Sequence, residues 1–139
     1  RKMETVLAQI EPPKLFGPAS ASVTLIGWGS TEGVIQEAIE ILAGEEGIVA
    51  NNLQVKWILP LHGEVITQIL SESKHTIIIE QNYSGQFARY LRSETGFAPT
   101  GHIRKYDGEP FMPHHLVEAV KEQLSGKTNL SVPQHELIV

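Results

Sequence analysis

Cysteine is absent from the 139 residues, which excludes a disulfide, a thiol nucleophile and a thiolate ligand for an iron–sulfur cluster. Basic residues are in the minority: 11 Lys and Arg against 16 Asp and Glu leave a formal charge of -5. The Lys and Arg are also scattered, so neither nucleic acid nor an anionic membrane surface is expected as a partner, because neutralising phosphates takes a clustered basic face. No apolar run approaches the roughly 20 residues of a spanning helix, and the start lacks the apolar stretch of a signal peptide. The expected compartment is therefore the cytoplasm. Low-complexity tracts and internal repeats are missing too. What is present is 41% hydrophobic and 19% charged residues, a globular composition sized for one core. Arg1 stands where a methionine would start a complete chain, and the residues are read as belonging to a longer polypeptide.

Periodicity orders the rest. Met3, Leu7 and Ile10 form a short helical stripe, and Glu11-Pro12-Pro13 followed by Gly17-Pro18 predicts an extended connector, so 1–22 reads as a linker with a short helix. Val23 to Trp28 is an apolar strand; beyond Gly29-Ser30, the residues Val34, Ile35, Ala38, Ile39 and Leu42 make one helical face. Leu53 to Ile58 alternates apolar and polar residues, predicting a less fully covered strand that Pro60 ends. Glu64 to Leu70 is a short helix, Thr76 to Ile79 a central strand, and Phe87, Tyr90, Leu91 and Glu94 mark a helix stopped by Gly96. His102 to Tyr106 is expected at an edge, and His114 to Leu124 as a last helix. This βαβαβαβα order over 23–125 predicts a three-layer α/β/α domain on a largely parallel sheet. The tail 126–139 ends in Leu137-Ile138-Val139, apolar residues expected to need a covering surface.

Gly27-Trp28-Gly29-Ser30-Thr31-Glu32-Gly33 lies at a strand–helix junction, where backbone N–H groups can hold an anion. The dinucleotide fingerprint is not met: the third glycine comes one residue late, and Ile58-Leu59-Pro60 stands where an acid for the ribose belongs. The preferred reading is that Gly29 makes the turn, Ser30 or Thr31 caps the helix and Glu32 faces its positive end. Gly29, Ser30 and Thr31 therefore form an anion-binding or helix-cap site. Ser30 is no hydrolase nucleophile, since Trp28 occupies the first glycine of that elbow. His114 and His115 are adjacent, unlike an i, i+4 ligand pair, so no metal site is expected. After the central strand, Glu80, Gln81, Asn82, Tyr83 and Gln86 carry groups suited to hydrogen bonding with a partner, and they are the candidate interface residues. Asn82 or Ser84 capping the next helix is weighed equally.

These motifs carry a resemblance. Leu25-Ile26-Gly27-Trp28-Gly29-Ser30-Thr31-Glu32-Gly33 and Trp57-Ile58-Leu59-Pro60-Leu61 resemble the transketolase C-terminal domain family. Within it, the run from Ile79 to Arg92 and Lys105-Tyr106-Asp107-Gly108-Glu109-Pro110-Phe111 are similar to the C-terminal domain of α subunits of 2-oxoacid:ferredoxin oxidoreductases, the 2-oxoglutarate type favoured. The resemblance implies a mixed sheet of about five strands with one antiparallel, the fifth placed in the tail or near Ile48. It also implies membership of an enzyme that oxidatively decarboxylates a 2-oxoacid to an acyl-coenzyme A and passes electrons to ferredoxin. Thiamine diphosphate, magnesium and iron–sulfur clusters would sit on other domains and subunits. Implied partners are the upstream domains of the same subunit and a β subunit, with ferredoxin and coenzyme A reached through the whole complex. A second copy of the chain is a further expected partner. No catalytic residue is carried over. The competing reading is a self-contained module that holds an anionic metabolite at the Gly29-Ser30-Thr31 turn.

Overall fold

The computed structural model describes residues 2–134; the apolar end at Leu137 to Val139 lies outside them. Helix α1 (Lys2–Gln9) leads into a two-residue strand β1 (Leu15–Phe16), followed by β2 (Val23–Trp28), a 3₁₀ turn (Gly29–Thr31), α2 (Glu32–Glu45), β3 (Ala50–Val55), α3 (Gly63–Ser71), β4 (Thr76–Glu80), α4 (Gln86–Thr95), β5 (Gly101–Arg104), α5 (Pro113–Leu124) and β6 (Leu130–Ser131). The strands form one six-stranded sheet in the order β1-β3-β2-β4-β5-β6. Only β1 runs antiparallel, to β3; the other neighbours are parallel. No helix among the described residues is long and apolar enough to cross a membrane.

The helices cover both faces. Ile35, Ala38, Ile39 and Leu42 recur on one face of α2 and pack with Leu116, Val117 and Val120 of α5 over Leu25, Ile77 and Ile103 of the sheet. On the other face Ile66 and Leu70 of α3 and Phe87 and Leu91 of α4 cover Ile26, Leu53 and Ile78. Each such aliphatic side chain, taken fully from water, contributes about 1.5–3 kcal/mol before ordering entropy is counted. β2 and β4 lie between the two layers, so their near-continuous apolar runs are what burial on both faces requires.

Three expectations are corrected. The second long strand begins at Ala50 rather than Leu53, and it is buried throughout. Asn51 and Asn52 carry turn-forming side chains, yet their amide nitrogens donate to Pro18 O (2.8 Å) and Leu25 O (2.9 Å), which offsets part of the cost of placing them in a strand, while both Oδ1 atoms stay buried without a partner among the described residues. The sheet has six strands where about five are expected; the antiparallel strand comes from the connector, where Leu15 and Phe16 pair with Leu53 and Asn52. Finally, β5 is not an edge, because the tail supplies β6 in parallel beside it, His102 pairing with Leu130.

Candidate functional site

β2 has β3 on one side and β4 on the other. The chain therefore leaves β2 in one direction and, after β3, crosses back to reach β4. Loops that diverge at such a reversal leave a crevice beyond the carboxyl ends of the strands. Here the crevice is a cleft of about 280 Å³ lined by Gly29, Ser30 and Thr31 from one loop and Gln81, Asn82 and Gln86 from the other. Two groups of residues about fifty positions apart in the chain thus form one site.

The first wall is the β2–α2 junction. Gly29 has φ +67°, a left-handed value that a residue with a Cβ adopts only with strain. A Cβ at Gly27, in the strand, would collide with Gln54, Ile35 and Thr31, so this glycine lets polar side chains close over the backbone. Gln54 Nε2 donates to Gly29 O at 3.3 Å and holds the turn from β3. Thr31 stands at the N-cap position of α2, but helical φ and ψ of -83° and -8° turn its hydroxyl back to Trp28 O (3.1 Å), and no side-chain cap bond forms there. The capping expected of Ser30 or Thr31 is therefore not made by their hydroxyls. Gly29 and Ser30 are exposed.

The second wall is built differently. Glu80 is 0% exposed, and its two carboxylate oxygens accept from Phe87 N (2.6 Å) and Ala88 N (3.0 Å) in the first turn of α4. Asn82 Nδ2 donates to Glu80 Oε1 (3.0 Å), while Asn82 Oδ1 accepts from Gly85 N (2.7 Å) and Gln86 N (3.1 Å). A carboxylate and an amide thus satisfy the free N–H groups that every helix start leaves open. Glu80 faces inward and serves α4; Gln81, Tyr83 and Gln86 are exposed, and Asn82 is half-buried. Among the described residues Glu80 and Asn82 together make the capping arrangement, without Ser84.

Sequence reasoning missed two contributors. Trp28, at the end of β2, packs its ring 5.7 Å from Phe87 and ties the two walls together. Gln54 read as a solvent-facing member of an alternating strand, although a glycine in the strand opposite is a signal of close approach. Neither wall offers a nucleophile beside a base among the described residues: the free groups are backbone N–H, hydroxyls and amides. Such a lining can make hydrogen bonds to a ligand or a neighbouring chain. Nor do three or more His, Asp or Glu side chains gather around a metal-sized space among the described residues. The rings of His114 and His115 lie against each other with centroids 4.3 Å apart and planes tilted by 52°. A second cleft, also about 280 Å³, lies under the connector between Lys14, Asn52, Gln54, Trp57 and His62.

No protein-family model matches the chain. The chain is 34% identical over 138 residues to the α subunit of 2-oxoacid:ferredoxin oxidoreductase 2 of Aeropyrum pernix, a match covering 97% of this chain and 21% of that protein. It spans roughly a fifth of the length of the curated relatives it matches, 17–21%. The structure resembles a 2-oxoglutarate:ferredoxin oxidoreductase from Magnetococcus marinus with a TM-score of 0.78 and 30% identity, over 87% of this chain and 21% of that one. A split-gene transketolase, at 20% identity and TM-score 0.64 over 86% of this chain and 44% of that one, shares the fold, which places the domain among transketolase C-terminal-like folds. The α chain of a probable 2-oxoacid ferredoxin oxidoreductase from Thermoplasma acidophilum is 34% identical with a TM-score of 0.59, the match covering 84% of this chain and 99% of that one. A likeness of that degree along nearly the whole of the Thermoplasma chain shows that this chain belongs to the family of 2-oxoacid:ferredoxin oxidoreductase α subunits.

Proposed function

We propose that the chain is the C-terminal assembly domain of such an α subunit, and that the complete enzyme oxidatively decarboxylates a 2-oxoacid to an acyl-coenzyme A while passing electrons to ferredoxin. The observation that carries the assembly role is the loop after β4. Glu80 and Asn82 spend their polar atoms inward on α4, and this fixes Gln81, Tyr83 and Gln86 outward as a preformed polar and aromatic surface. Preformed surfaces lose little entropy on association. 2-Oxoglutarate is the proposed substrate, supported by the substrate in the name of the Magnetococcus relative and by the Ile79 to Arg92 motif.

Thiamine diphosphate, magnesium and iron–sulfur clusters belong to the family's whole complex, and the residues here do not fit them as ligands. The chain has no thiolate, and among the described residues no carboxylates or imidazoles converge. The domain's own part is binding and orientation of neighbours, in a cytoplasmic complex.

The test uses the full α subunit co-expressed with its β subunit. Gln81→Ala, Tyr83→Ala and Gln86→Ala together should abolish co-purification of the two subunits while leaving the far-ultraviolet spectrum of the α subunit unchanged; unaltered co-purification would reject the assembly role of this loop. Asn82 is left in place because it caps α4.

A second reading has its own supporting observation: the β2–α2 turn lines the cleft without a side-chain cap. Under it, Gly29, Ser30 and Thr31 hold an anionic metabolite. Phosphate, coenzyme A and nucleotides are the probes, and a true ligand at a hundredfold excess over its dissociation constant should stabilise the domain by about 2.7 kcal/mol. The assembly reading expects no saturable shift.

A further inference from the structure

The two sequence motifs specific to this branch of the family converge at one surface feature. Tyr83, from the loop after β4, stacks on Tyr106, from the loop after β5, with ring centroids 5.1 Å apart and planes 14° from parallel. Both rings are out in solvent, Tyr83 66% and Tyr106 52% exposed. Two neighbouring exposed aromatics are uncommon without a purpose, and Tyr and Arg are the residues that dominate binding energy at protein interfaces.

Each ring is held from below. The Tyr83 loop is fixed by the Glu80 and Asn82 caps, and Arg104 Nη1 donates to Tyr83 O at 3.4 Å. Tyr106 sits between Lys105 and Asp107. Lys105 is 1% exposed; it pairs with Asp107 and donates to Glu109 O (3.1 Å), while its backbone N–H reaches Glu80 O (3.1 Å). Asp107 also accepts from Glu109 N at 3.1 Å. The Lys105 ammonium is buried while Asp107 is exposed, and the pair ties the Tyr106 loop to the buried end of β5, so that removing Asp107 would leave a buried charge short of its partner.

Between the two loops lies Arg104. Its guanidinium rests over Gly85, where a Cβ would lie 2.5 Å from Nη2, and its hydrogen bonds, to Tyr83 O and to His102 Nδ1, are both long at 3.4 Å. Among the described residues it has no carboxylate partner. An arginine carries five donors in a fork that matches a carboxylate. In a chain of net charge -5, a half-exposed guanidinium without an ion pair, flanked by two fixed tyrosines, is complementary to a carboxylate presented next to apolar surface.

The geometry points to the Tyr83–Tyr106–Arg104 cluster as the anchor of a docking surface for an acidic segment of a partner subunit, a carboxylate of that segment bound by Arg104 and its neighbouring apolar side chains lying on the tyrosine rings. This rests on the assembly role proposed for the Glu80–Gln86 loop and names the chemistry of what that loop meets. The loop after β5 becomes part of the same surface.

The experiment places the photoreactive residue p-benzoylphenylalanine at Tyr106 in the full α subunit assembled with its β subunit, and maps the cross-link by mass spectrometry. The expected product joins Tyr106's position to a segment of the other subunit that contains Asp or Glu. Arg104→Glu should then weaken assembly by about thirtyfold or more, and a charge-reversed acid in the mapped segment should restore it. A cross-link confined to the α subunit, a mapped segment without a carboxylate, or Arg104→Glu assembling as well as wild type would each overturn the proposal. Arg104→Gln, which introduces no repulsion, checks that any loss is not misfolding: its melting temperature should match wild type while assembly still weakens. Saturable stabilisation by inorganic phosphate that Arg104→Gln abolishes, with assembly intact, would assign the cluster to a small anion instead and overturn it likewise. The two proposals fail separately. If the Gln81, Tyr83 and Gln86 triple variant loses assembly while Arg104→Glu and Tyr106→Ala keep it, the assembly role stands and the acidic anchor falls; if all of them assemble, both fall.

Discussion

Two strand-to-helix junctions stand side by side on neighbouring parallel strands, and they solve the same problem in opposite ways. At the β4–α4 junction, a buried carboxylate and an amide accept four backbone N–H groups. At the β2–α2 junction no side chain caps the helix, and a 3₁₀ turn carries the chain into it. The first helix start is closed to any outside anion because Glu80 already supplies the negative charge. The second leaves its exposed glycine and serine at the mouth of the cleft. Rigidity and openness are thus divided between the two walls. The acid in the linear sequence nearest the open turn, Glu32, makes no cap bond there; the acid that acts as a cap is at the other junction.

The sharpest way to break this contrast is Glu80→Ala. It strands Phe87 N–H and Ala88 N–H in the core and removes the partner of Asn82 Nδ2. With each buried unpaired donor costing about 1–3 kcal/mol, a loss of about 3–5 kcal/mol in urea unfolding is expected. The next effect separates the two glycines. Gly29 and Gly85 have nearly the same φ, +67° and +66°, so Ala at either should cost about 1 kcal/mol or somewhat more for the left-handed backbone alone. At Gly29 nothing lies within 4 Å of the added carbon, whereas at Gly85 it meets the Arg104 guanidinium. Gly85→Ala should therefore destabilise by about 2–3 kcal/mol against about 1 for Gly29→Ala. Equal losses would mean that Arg104 swings aside freely and is not held over the turn.

Much of this fold was legible in the residue pattern, and the failures have physical causes. β2, β4 and the helices α2, α4 and α5 follow from apolar runs and from recurrences such as Ile35, Ala38, Ile39 and Leu42, which local geometry converts into one face. β3 was displaced because Asn51, Asn52 and Gln54 are polar in sequence yet buried in space. Carbonyls from the connector, from β2 and from the 3₁₀ turn accept from their amide nitrogens, and no local window contains them. β1 and β6, at two residues each, have no period to detect and exist through pairing with β3 and β5. Both walls of the cleft were recognisable as strand–helix junctions. Their adjacency depends on the order β3-β2-β4, a property of topology. Likewise, nothing near Lys105 in sequence announces that its ammonium is buried, or that Tyr106 will meet Tyr83.

The smallest expected effect concerns charge. The β4 side of the molecule carries a histidine whose titration is shifted by its surroundings. His102, on β5 beside this junction, has its pKa lowered from the ordinary 6.5, first by burial and then by the positive Arg104, with Glu80 partly opposing. The folded state thus favours the neutral ring. As pH falls below 6.5, the unfolded chain takes up its proton before the folded one does, and the stability His102 contributes, present above that value, is lost as pH drops through the folded-state pKa. Unfolding midpoints measured at about pH 7.5 and about pH 5.5 should fall on acidification, and the fall should be smaller in His102→Gln, which cannot titrate. Gly29→Ala, which changes no titrating group, should shift both midpoints equally and leave the slope as it was. A slope unchanged by His102→Gln would place the acid response elsewhere, and the burial of His102 beside Arg104 would then not govern how the domain meets acid.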